Sequence, residues 1–239
     1  RERCCIDNTP ISQNDFAQCL IDIQPAITYV LKQQNRWGRL SFFELYTALS
    51  IYYFAQQEVD WSVIEVGLGG RLDATNIVQP ELSVITPISL EHQKVLGHTI
   101  ADIADQKAGI IKSRTPLILG PQPKSAESIF EKTAKHHQAP IIRVPLDLKI
   151  KEHNLNGQLF DFDSYSNLSI SLAGPYQPTN AATAVTAVQN LKLNQKLSSM
   201  AIGKGLAKTK LMGRFQVVSL ENRSQSLVNQ VILDGAHTP

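Results

Sequence analysis

The sequence has few cysteines, little net charge and no long apolar run, and each of these shortages excludes a class of protein. Cys4, Cys5 and Cys19 are the only cysteines. Their odd number and clustered positions do not fit a zinc site, so we expect reduced thiols in a cytoplasmic protein. A formal net charge of +2 gives no argument for binding nucleic acid or an anionic membrane. No apolar run approaches the roughly 20 residues needed to span a bilayer.

The phosphate-binding loop G-x-x-x-x-G-K-[ST] is also missing from the 239 residues. Gly203-Lys204-Gly205 resembles part of it, but no glycine stands five residues before Gly203, and the surroundings predict a helix. What is present is 43% hydrophobic and 18% charged residues, which predicts a soluble globular protein with a sizeable core. The length has room for about one to one and a half ordinary domains.

Short apolar runs alternate with helical patterns along most of the chain. Runs rich in branched residues predict strands at 61–66, 82–86, 116–120 and 140–144. Helices are predicted around them, at 12–33, 41–55, 99–112, 125–138 and 198–210. This alternation predicts an α/β fold, with a mostly parallel sheet flanked by helices. Alternating runs around Asn156-Gly157 add a small antiparallel patch at the edge of the domain, and 215–220 and 230–233 predict two further strands.

Individual residues refine the predicted helices. Pro25 should interrupt or kink the first helix. The second helix is apolar almost all round, so we expect it to be buried. Ser41 and Ser125 have hydroxyls suited to capping the starts of their helices.

Polar and glycine residues follow the first two predicted strands, where parallel sheets bind ligands. Glu65 comes at the end of the first run and is followed by three glycines within the next five residues, and Glu91-His92 follows the second run. A carboxylate at the end of a buried strand needs a cation or hydrogen-bond donors to offset its desolvation. Three alternatives stay open: the glycines form only a tight turn, Glu65 faces the surface, and His92 is a structural histidine.

The segments EVGLGGRLDATN, from Glu65, and KAGIIK, from Lys107, together with the intervening His92 before LG-T, resemble one known family. It is the folylpolyglutamate synthase and dihydrofolate synthase family of the ATP-dependent Mur ligase superfamily. The resemblance implies a Mur-ligase-type central ATPase domain. It covers essentially the whole chain, whereas the chain would cover only the middle of the family. We therefore expect a fragment that lacks the phosphate-binding loop and most of the C-terminal domain.

The resemblance implies Mg²⁺ as a cofactor, with Glu65 and His92 as its ligands. It also implies that Lys107 is a catalytic lysine that carries a carbamate, whose oxygens suit this hard cation better than an ammonium would. The chain departs from the family pattern at Gln106, where Glu is usual, and at Glu91, where Asp is usual.

The substrate-binding residues are also implied by resemblance. ATP would contact Asn180, Arg214, Asp234 and His237, and Arg214 would also act in catalysis. Near Asn180, Tyr176 replaces the usual histidine, and capping of the local helix is the alternative role of Asn180. The implied folate or pterin contacts lie in two short segments, Ser41, Phe42, Phe43 and Glu44, and Leu72, Asp73 and Ala74.

The implied domain organisation has an ATP-binding ligase domain at 1–212, incomplete at its N-terminus. Residues 213–239 would form a linker and the start of a C-terminal glutamate-ligase domain. The implied enzyme is a monomer that uses ATP to join L-glutamate to folate or dihydropteroate through an acyl phosphate. We expect the 239 residues alone to be inactive. The alternatives are a muramyl-peptide-type ligase and a non-catalytic truncated remnant.

Overall fold

The computed structural model describes residues 2–33, 38–193, 197–219 and 230–235. The chain divides into two compact units, Arg1–Val78 and Gln79–Pro239. Within the described ranges, no helix has both the length and the apolar character that crossing a membrane requires.

The first unit is mainly helical. Its elements are β1 (Cys5–Ile6), β2 (Thr9–Pro10), α1 (Gln13–Lys32), α2 (Phe42–Gln56) and a 3-10 helix (Ala74–Ile77). The strands β1 and β2 pair in an antiparallel hairpin, and α1 packs against α2. A buried cluster of Cys4, Ile11, Cys19, Leu49 and Tyr53 forms the core of the unit.

Both predicted helices of this unit are present, although two of their expected details are wrong. Helix α1 begins after Ser12, whose hydroxyl accepts a hydrogen bond from the Asp15 backbone N–H at 3.0 Å. The helix continues through Pro25, whose exposed ring lies on the outer side, so the predicted interruption is absent, and the alternative of a kink there stays a prediction. Helix α2 is buried along one face only, because it packs on α1 from one side. Its first residue, Phe42, is 72% exposed.

The predicted strand at residues 61–66 is not formed. Val63 is 98% exposed, and the described segment has no strand structure. A strand requires a neighbour that completes its hydrogen bonds. Within the described part of the first unit, the only strands are β1 and β2, and these pair with each other. Glu65 therefore lies in an irregular segment and not at the end of a strand.

The second unit contains the predicted parallel sheet. Its strands are β3 (Ser83–Ile85), β4 (Leu117–Leu119) and β5 (Ile141–Arg143), in the order β3-β4-β5. The strands are parallel, with Val84 opposite Ile118 and Ile118 opposite Ile142. These strands confirm three of the four predicted runs and, with the surrounding helices, the α/β class.

Helices α3 (Gln93–Leu96), α4 (Ile100–Ala108) and α5 (Lys124–His136) connect these strands. The strands alternate their side chains between the two faces of the sheet. Leu117 and Leu119 belong to one buried cluster with residues of α4 and α5, whereas Ile118 belongs to a second cluster.

The buried cluster that contains Ile118 joins the parallel sheet to an antiparallel sheet. Strands β6 (Lys149–Asn154), β7 (Gly157–Phe162) and β8 (Tyr165–Ile170) form it, which confirms the predicted hairpin. Helices α6 (Gln177–Gln189) and α7 (Ser199–Ala207) also contribute to the cluster. The last described strands, β9 (Gln216–Ser219) and β10 (Gln230–Leu233), confirm the two further strands that were predicted, and they pair antiparallel.

The predicted end of α4 and the predicted start of α5 are wrong. Helix α4 ends at Ala108, four residues before the predicted end at Lys112. Helix α5 is preceded by Pro123 in an extended conformation, with φ −59° and ψ 143°, so Ser125 does not cap it. The fixed φ of proline suits the entry to a helix, and the helix therefore begins before Ser125.

Candidate functional site

The glycine-rich segment after Glu65 is packed against the start of α2. A Cβ built at Gly67 would lie only 2.4 Å from Phe43 Cζ, so the Phe43 ring contacts the Gly67 backbone directly. The 3-10 helix that begins at Ala74 also packs against α2. The first unit thus brings together the two segments that were predicted to bind pterin.

The start of α2 is held by a reciprocal pair of hydrogen bonds. The Ser41 backbone N–H donates to Glu44 Oε2 at 2.7 Å, and the Glu44 N–H donates to Ser41 Oγ at 3.2 Å. These bonds with Ser41 lower the pKa of the Glu44 carboxyl below its usual value. Both side chains are thus engaged in capping the helix, which leaves the exposed Phe42 ring as the apolar surface beside them.

Asp73 binds its own loop with both carboxylate oxygens. Its Oδ2 accepts from the Leu68 N–H at 2.8 Å. Its Oδ1 accepts from the N–H of Thr75 at 2.9 Å and from the Thr75 hydroxyl at 2.5 Å. Asp73 therefore fixes the turn between the glycine segment and the 3-10 helix. Leu72, beside it, is 91% exposed. The predicted pterin contact of Asp73 stays a prediction, alongside this structural role.

Lys107 lies in the second unit and forms an ion pair. Its Nζ is 3.4 Å from Glu91 Oε1, and both side chains are about a quarter to a third exposed, at 23% and 31%. Glu91 follows β3, and Lys107 lies in the last turn of α4. We expected Glu91 at the ligand-binding edge of the sheet, but its ion pair with Lys107 was not predicted. An acid after one strand and a lysine on the next long helix can meet at one sheet edge, but no local pattern in the sequence specifies that these two do.

Helix α4 has its own reciprocal cap. The Thr99 N–H donates to Asp102 Oδ2 at 3.0 Å, and the Asp102 N–H donates to Thr99 Oγ1 at 3.1 Å. The hydrogen bonds from Thr99 lower the pKa of Asp102. The cap fixes the start of the helix that carries Lys107.

The two predicted metal ligands belong to different compact units. Glu65 is exposed in the first unit, and His92 is exposed in the second, where its left-handed backbone (φ 50°) precedes α3. Among the described residues, no group of three or more His, Cys, Asp or Glu side chains could hold a metal ion. The expected convergence of Glu65, His92 and Lys107 stays a prediction.

Three of the predicted ATP-binding residues are described. Asn180 is exposed within the first turns of α6, which begins at Gln177, so it does not cap that helix. The exposed Arg214 and Asp234 flank the open end of the β9–β10 pair. There the Gly235 N–H donates to the Gly213 carbonyl at 2.7 Å, and these two segments therefore lie side by side. His237 lies outside the described residues.

No protein-family model matches the chain. A folylpolyglutamate synthase from Lacticaseibacillus casei is 33% identical over 249 residues, which cover 100% of this chain and 56% of the relative. A dihydrofolate synthase/folylpolyglutamate synthase from Bacillus subtilis is 33% identical over 245 residues, which cover 99% and 55%. The chain belongs to the folylpolyglutamate and dihydrofolate synthase family.

A solved folylpolyglutamate synthase structure, a complex with AMPPCP and folate, has the same fold. It matches with a TM-score of 0.86 and 34% identity, over 100% of this chain and 58% of that one. The chain thus spans little more than half the length of the folylpolyglutamate synthases that it matches. Because these relatives are folylpolyglutamate and dihydrofolate synthases, they favour the folate-ligase interpretation over the muramyl-peptide alternative.

Proposed function

We propose that the protein is an ATP-dependent ligase that adds L-glutamate to folate or dihydropteroate. The observation that carries this proposal is the agreement of the whole chain with folylpolyglutamate and dihydrofolate synthases, at 33% identity. A related structure that holds both AMPPCP and folate supports ATP and a folate as the substrates.

The folate or dihydropteroate would bind in the first unit. Phe42 and Leu72 expose apolar surface there, at 72% and 91%. Phe42 is the first residue of α2, and Leu72 lies just before the 3-10 helix that packs against α2. An apolar surface beside the polar groups of Ser41, Glu44 and Asp73 suits a flat heteroaromatic ring with a polar edge.

The ATP phosphates would be bound by residues of the second unit. The Arg214 side chain is exposed. It lies beside Gly235, where an added Cβ would be 3.9 Å from its guanidinium. A guanidinium can donate two parallel hydrogen bonds to a phosphate, which both orients it and offsets its charge. Arg214 would therefore position the phosphoryl group, and Asn180 and Asp234 would bind the rest of the nucleotide.

Glu65 and His92 would hold Mg²⁺. The Glu65 carboxylate fits this role, because it is exposed and has no hydrogen-bond partner among the residues that the structure describes. A carbamate on Lys107 would add oxygen donors of the kind that Mg²⁺ prefers. The ion, when bound, would neutralise charge on the transferred phosphate.

In the proposed reaction, the folate or pteroate carboxylate attacks the γ-phosphate of ATP, and ADP leaves. The amine of L-glutamate then attacks the acyl phosphate and displaces phosphate to form an amide. The protein positions the reactants and stabilises their charges, as phosphoryl transfer generally requires. In this scheme 1–212 act as the ATP-binding domain, and 213–239 are a linker and the start of a glutamate-ligase domain. We place the protein in the cytoplasm, where its three free thiols would stay reduced. A monomer remains the proposed oligomeric state.

The test uses the protein as its gene encodes it, because the 239 residues contain no phosphate-binding loop. It is incubated with ATP, MgCl₂, L-glutamate and either dihydropteroate or a folate, and ADP and the product mass are measured. We expect ADP release that requires both glutamate and the pterin substrate, with a product heavier by one glutamyl residue. ADP release with a nucleotide-linked muramyl peptide, and not with either pterin substrate, would overturn the proposal.

A further inference from the structure

Gln122 follows the carboxyl end of β4, and its side-chain amide reaches across to the end of β3. Its Nε2 donates to the Thr86 carbonyl at 2.9 Å, and Thr86 is the first residue after β3. The two strands are adjacent and parallel, so their carboxyl ends lie at the same edge of the sheet. The amide therefore ties together the two segments that leave this edge.

Gly120 strengthens the same connection through its backbone. Its N–H donates to the Ile85 carbonyl at 2.9 Å. A Cβ built at Gly120 would lie only 3.1 Å from Cδ of Pro87, the residue after Thr86. The segments after β3 and β4 thus touch directly, and the first residues after β3 have little freedom to move.

The oxygen of the Gln122 amide is buried, and it has no hydrogen-bond partner among the residues that the structure describes. Its orientation is fixed by the nitrogen, because a reversed amide would place the oxygen against the Thr86 carbonyl oxygen. A buried acceptor without a partner costs free energy. The oxygen is therefore available to a donor that enters with the ligands, such as a water molecule carried by a hydrated cation.

The loop from Thr86 to His92 is anchored at two further points. Ile88 is 8% exposed and belongs to the buried cluster that includes Leu96 of α3. Glu91 forms the ion pair with Lys107, at 3.4 Å. His92 follows Glu91 directly, so the three anchors of the loop together restrict where the imidazole can lie.

We propose that Gln122 is a positioning residue for the loop that carries His92. By holding the Thr86 carbonyl, it fixes the start of the loop and keeps His92 where it can bind Mg²⁺. This inference rests on the proposed function, in which His92 is a metal ligand. Gln122 acts through the backbone and does not bind the ion. A ligand that is held in place before the ion arrives loses less conformational freedom on binding, which raises the affinity.

The experiment measures the binding of Mn²⁺, a paramagnetic substitute for Mg²⁺, by electron paramagnetic resonance with the protein as its gene encodes it. Gln122→Met keeps the length of the side chain and removes the amide. It should weaken Mn²⁺ binding about fivefold, which corresponds to the loss of one hydrogen bond. In a His92→Ala background the same substitution should have little further effect, because the imidazole that it positions is no longer present.

Gln79→Met is the matched control. Gln79 also uses its Nε2, which donates to Thr115 Oγ1 at 3.3 Å. Gln79 precedes β3 and Thr115 precedes β4, so this bond lies at the opposite edge of the same sheet. The substitution should lower the stability of the protein and leave Mn²⁺ binding unchanged.

The outcomes separate this inference from the proposed function. If Gln122→Met leaves Mn²⁺ binding unchanged while His92→Ala weakens it, the positioning role is overturned and the proposed function stands. Equal losses in Gln122→Met and Gln79→Met would also overturn it, because both would then act by loosening the sheet. So would an undiminished effect of Gln122→Met in the His92→Ala background. If His92→Ala does not weaken Mn²⁺ binding, the metal assignment in the proposed function fails, and this inference fails with it.

Discussion

The ring of Phe43 lies against the backbone of Gly67 so closely that the two residues leave no room for a Cβ. A Cβ at Gly67 would lie 2.4 Å from Cζ and 2.8 Å from Cε1 of that ring. Gly67 is not among the glycines with positive φ, so its small size, and not an unusual backbone conformation, is what this position requires. The contact joins the glycine segment to the predicted pterin-binding end of α2.

We expect Gly67→Ala to lower the free energy of unfolding by about 1–3 kcal/mol, the usual cost of overpacking. Phe43→Leu should also destabilise the protein, but in the Gly67→Ala background it should recover part of the lost stability, since it removes the clashing ring atoms. Chemical denaturation of the two single variants and the double variant forms the required cycle. If the effects of the two substitutions on the unfolding free energy are strictly additive, the contact between Gly67 and Phe43 is contradicted.

The carboxylate of Asp73 provides a second prediction, because its structural and binding roles can be separated. Asp73→Ala should lower the unfolding free energy by about 1–2 kcal/mol through loss of the bonds to Leu68 and Thr75. It should also weaken pterin binding about tenfold or more, while the Kd for ATP stays nearly constant. Both affinities can be measured by calorimetry at a temperature where the variant is folded.

Asp15→Asn is a useful control for this prediction, because it alters a carboxylate in the first turn of α1 that accepts a hydrogen bond from the Ser12 hydroxyl. It should affect stability and leave pterin affinity unchanged. Equal losses of pterin and ATP affinity in Asp73→Ala would show that Asp73 acts only by holding the loop.

The helices were more predictable from sequence than the site. Ser12, Ser41 and Thr99 each have a side-chain oxygen that accepts a hydrogen bond from the third residue beyond, so a short local pattern locates the start of each helix. The buried strand at 117–119 was also predictable from the sequence. A run of consecutive apolar residues is typical of a strand that is buried on both faces of a sheet, as this one is.

Features that depend on distant residues were harder to predict. The apolar composition of 61–66 indicates a strand but does not say whether a neighbouring strand is available. The pairing of Lys107 with Glu91 depends on how α4 returns to the end of β3, and no local pattern specifies that return. The use of both Asp73 oxygens within one loop likewise follows from the path of the glycine segment and not from the motif itself.

The ion pair between Lys107 and Glu91 should compete with carbamate formation. The lysine amine must leave the Glu91 carboxylate before it attacks carbon dioxide, and a partly exposed pair of this kind contributes at most about 1 kcal/mol. Glu91→Gln should therefore reach half-maximal carbamylation at up to about fivefold lower bicarbonate. Carbon-13 NMR with labelled bicarbonate gives the occupancy directly.

Glu81→Gln, which neutralises an exposed acid of the same unit, is the control for this experiment. It should leave the bicarbonate dependence unchanged. A higher bicarbonate requirement in Glu91→Gln would show that Glu91 assists the reaction of Lys107, contrary to the prediction.

The cap of α4 predicts a pH dependence of stability. The hydrogen bonds from Thr99 hold the pKa of the Asp102 carboxyl below its usual value. A lowered folded-state pKa contributes stability that is present above the unfolded pKa and is lost as the pH falls through the folded pKa. The difference in unfolding free energy between the wild type and Asp102→Ala should therefore be largest above about pH 5, begin to shrink near about pH 4, and reach its minimum only below the lowered folded-state pKa. A difference that stays constant down to pH 2 would rule out the carboxylate as its cause.

The three cysteines should differ in reactivity, although two of them are adjacent in sequence. Cys4 and Cys19 are buried in the core of the first unit, and burial raises the pKa of both thiols. Cys5 is half-buried, and its Sγ donates to the Glu2 carbonyl at 3.2 Å at the protein surface. Since the thiolate is the nucleophile, and since access is also needed, alkylation at neutral pH should occur at Cys5 well before the other two. Peptide mapping after timed iodoacetamide treatment measures this order, and in urea all three should react at similar rates. Early labelling of Cys4 in the folded protein would contradict the packing of β1 against α1 and α2.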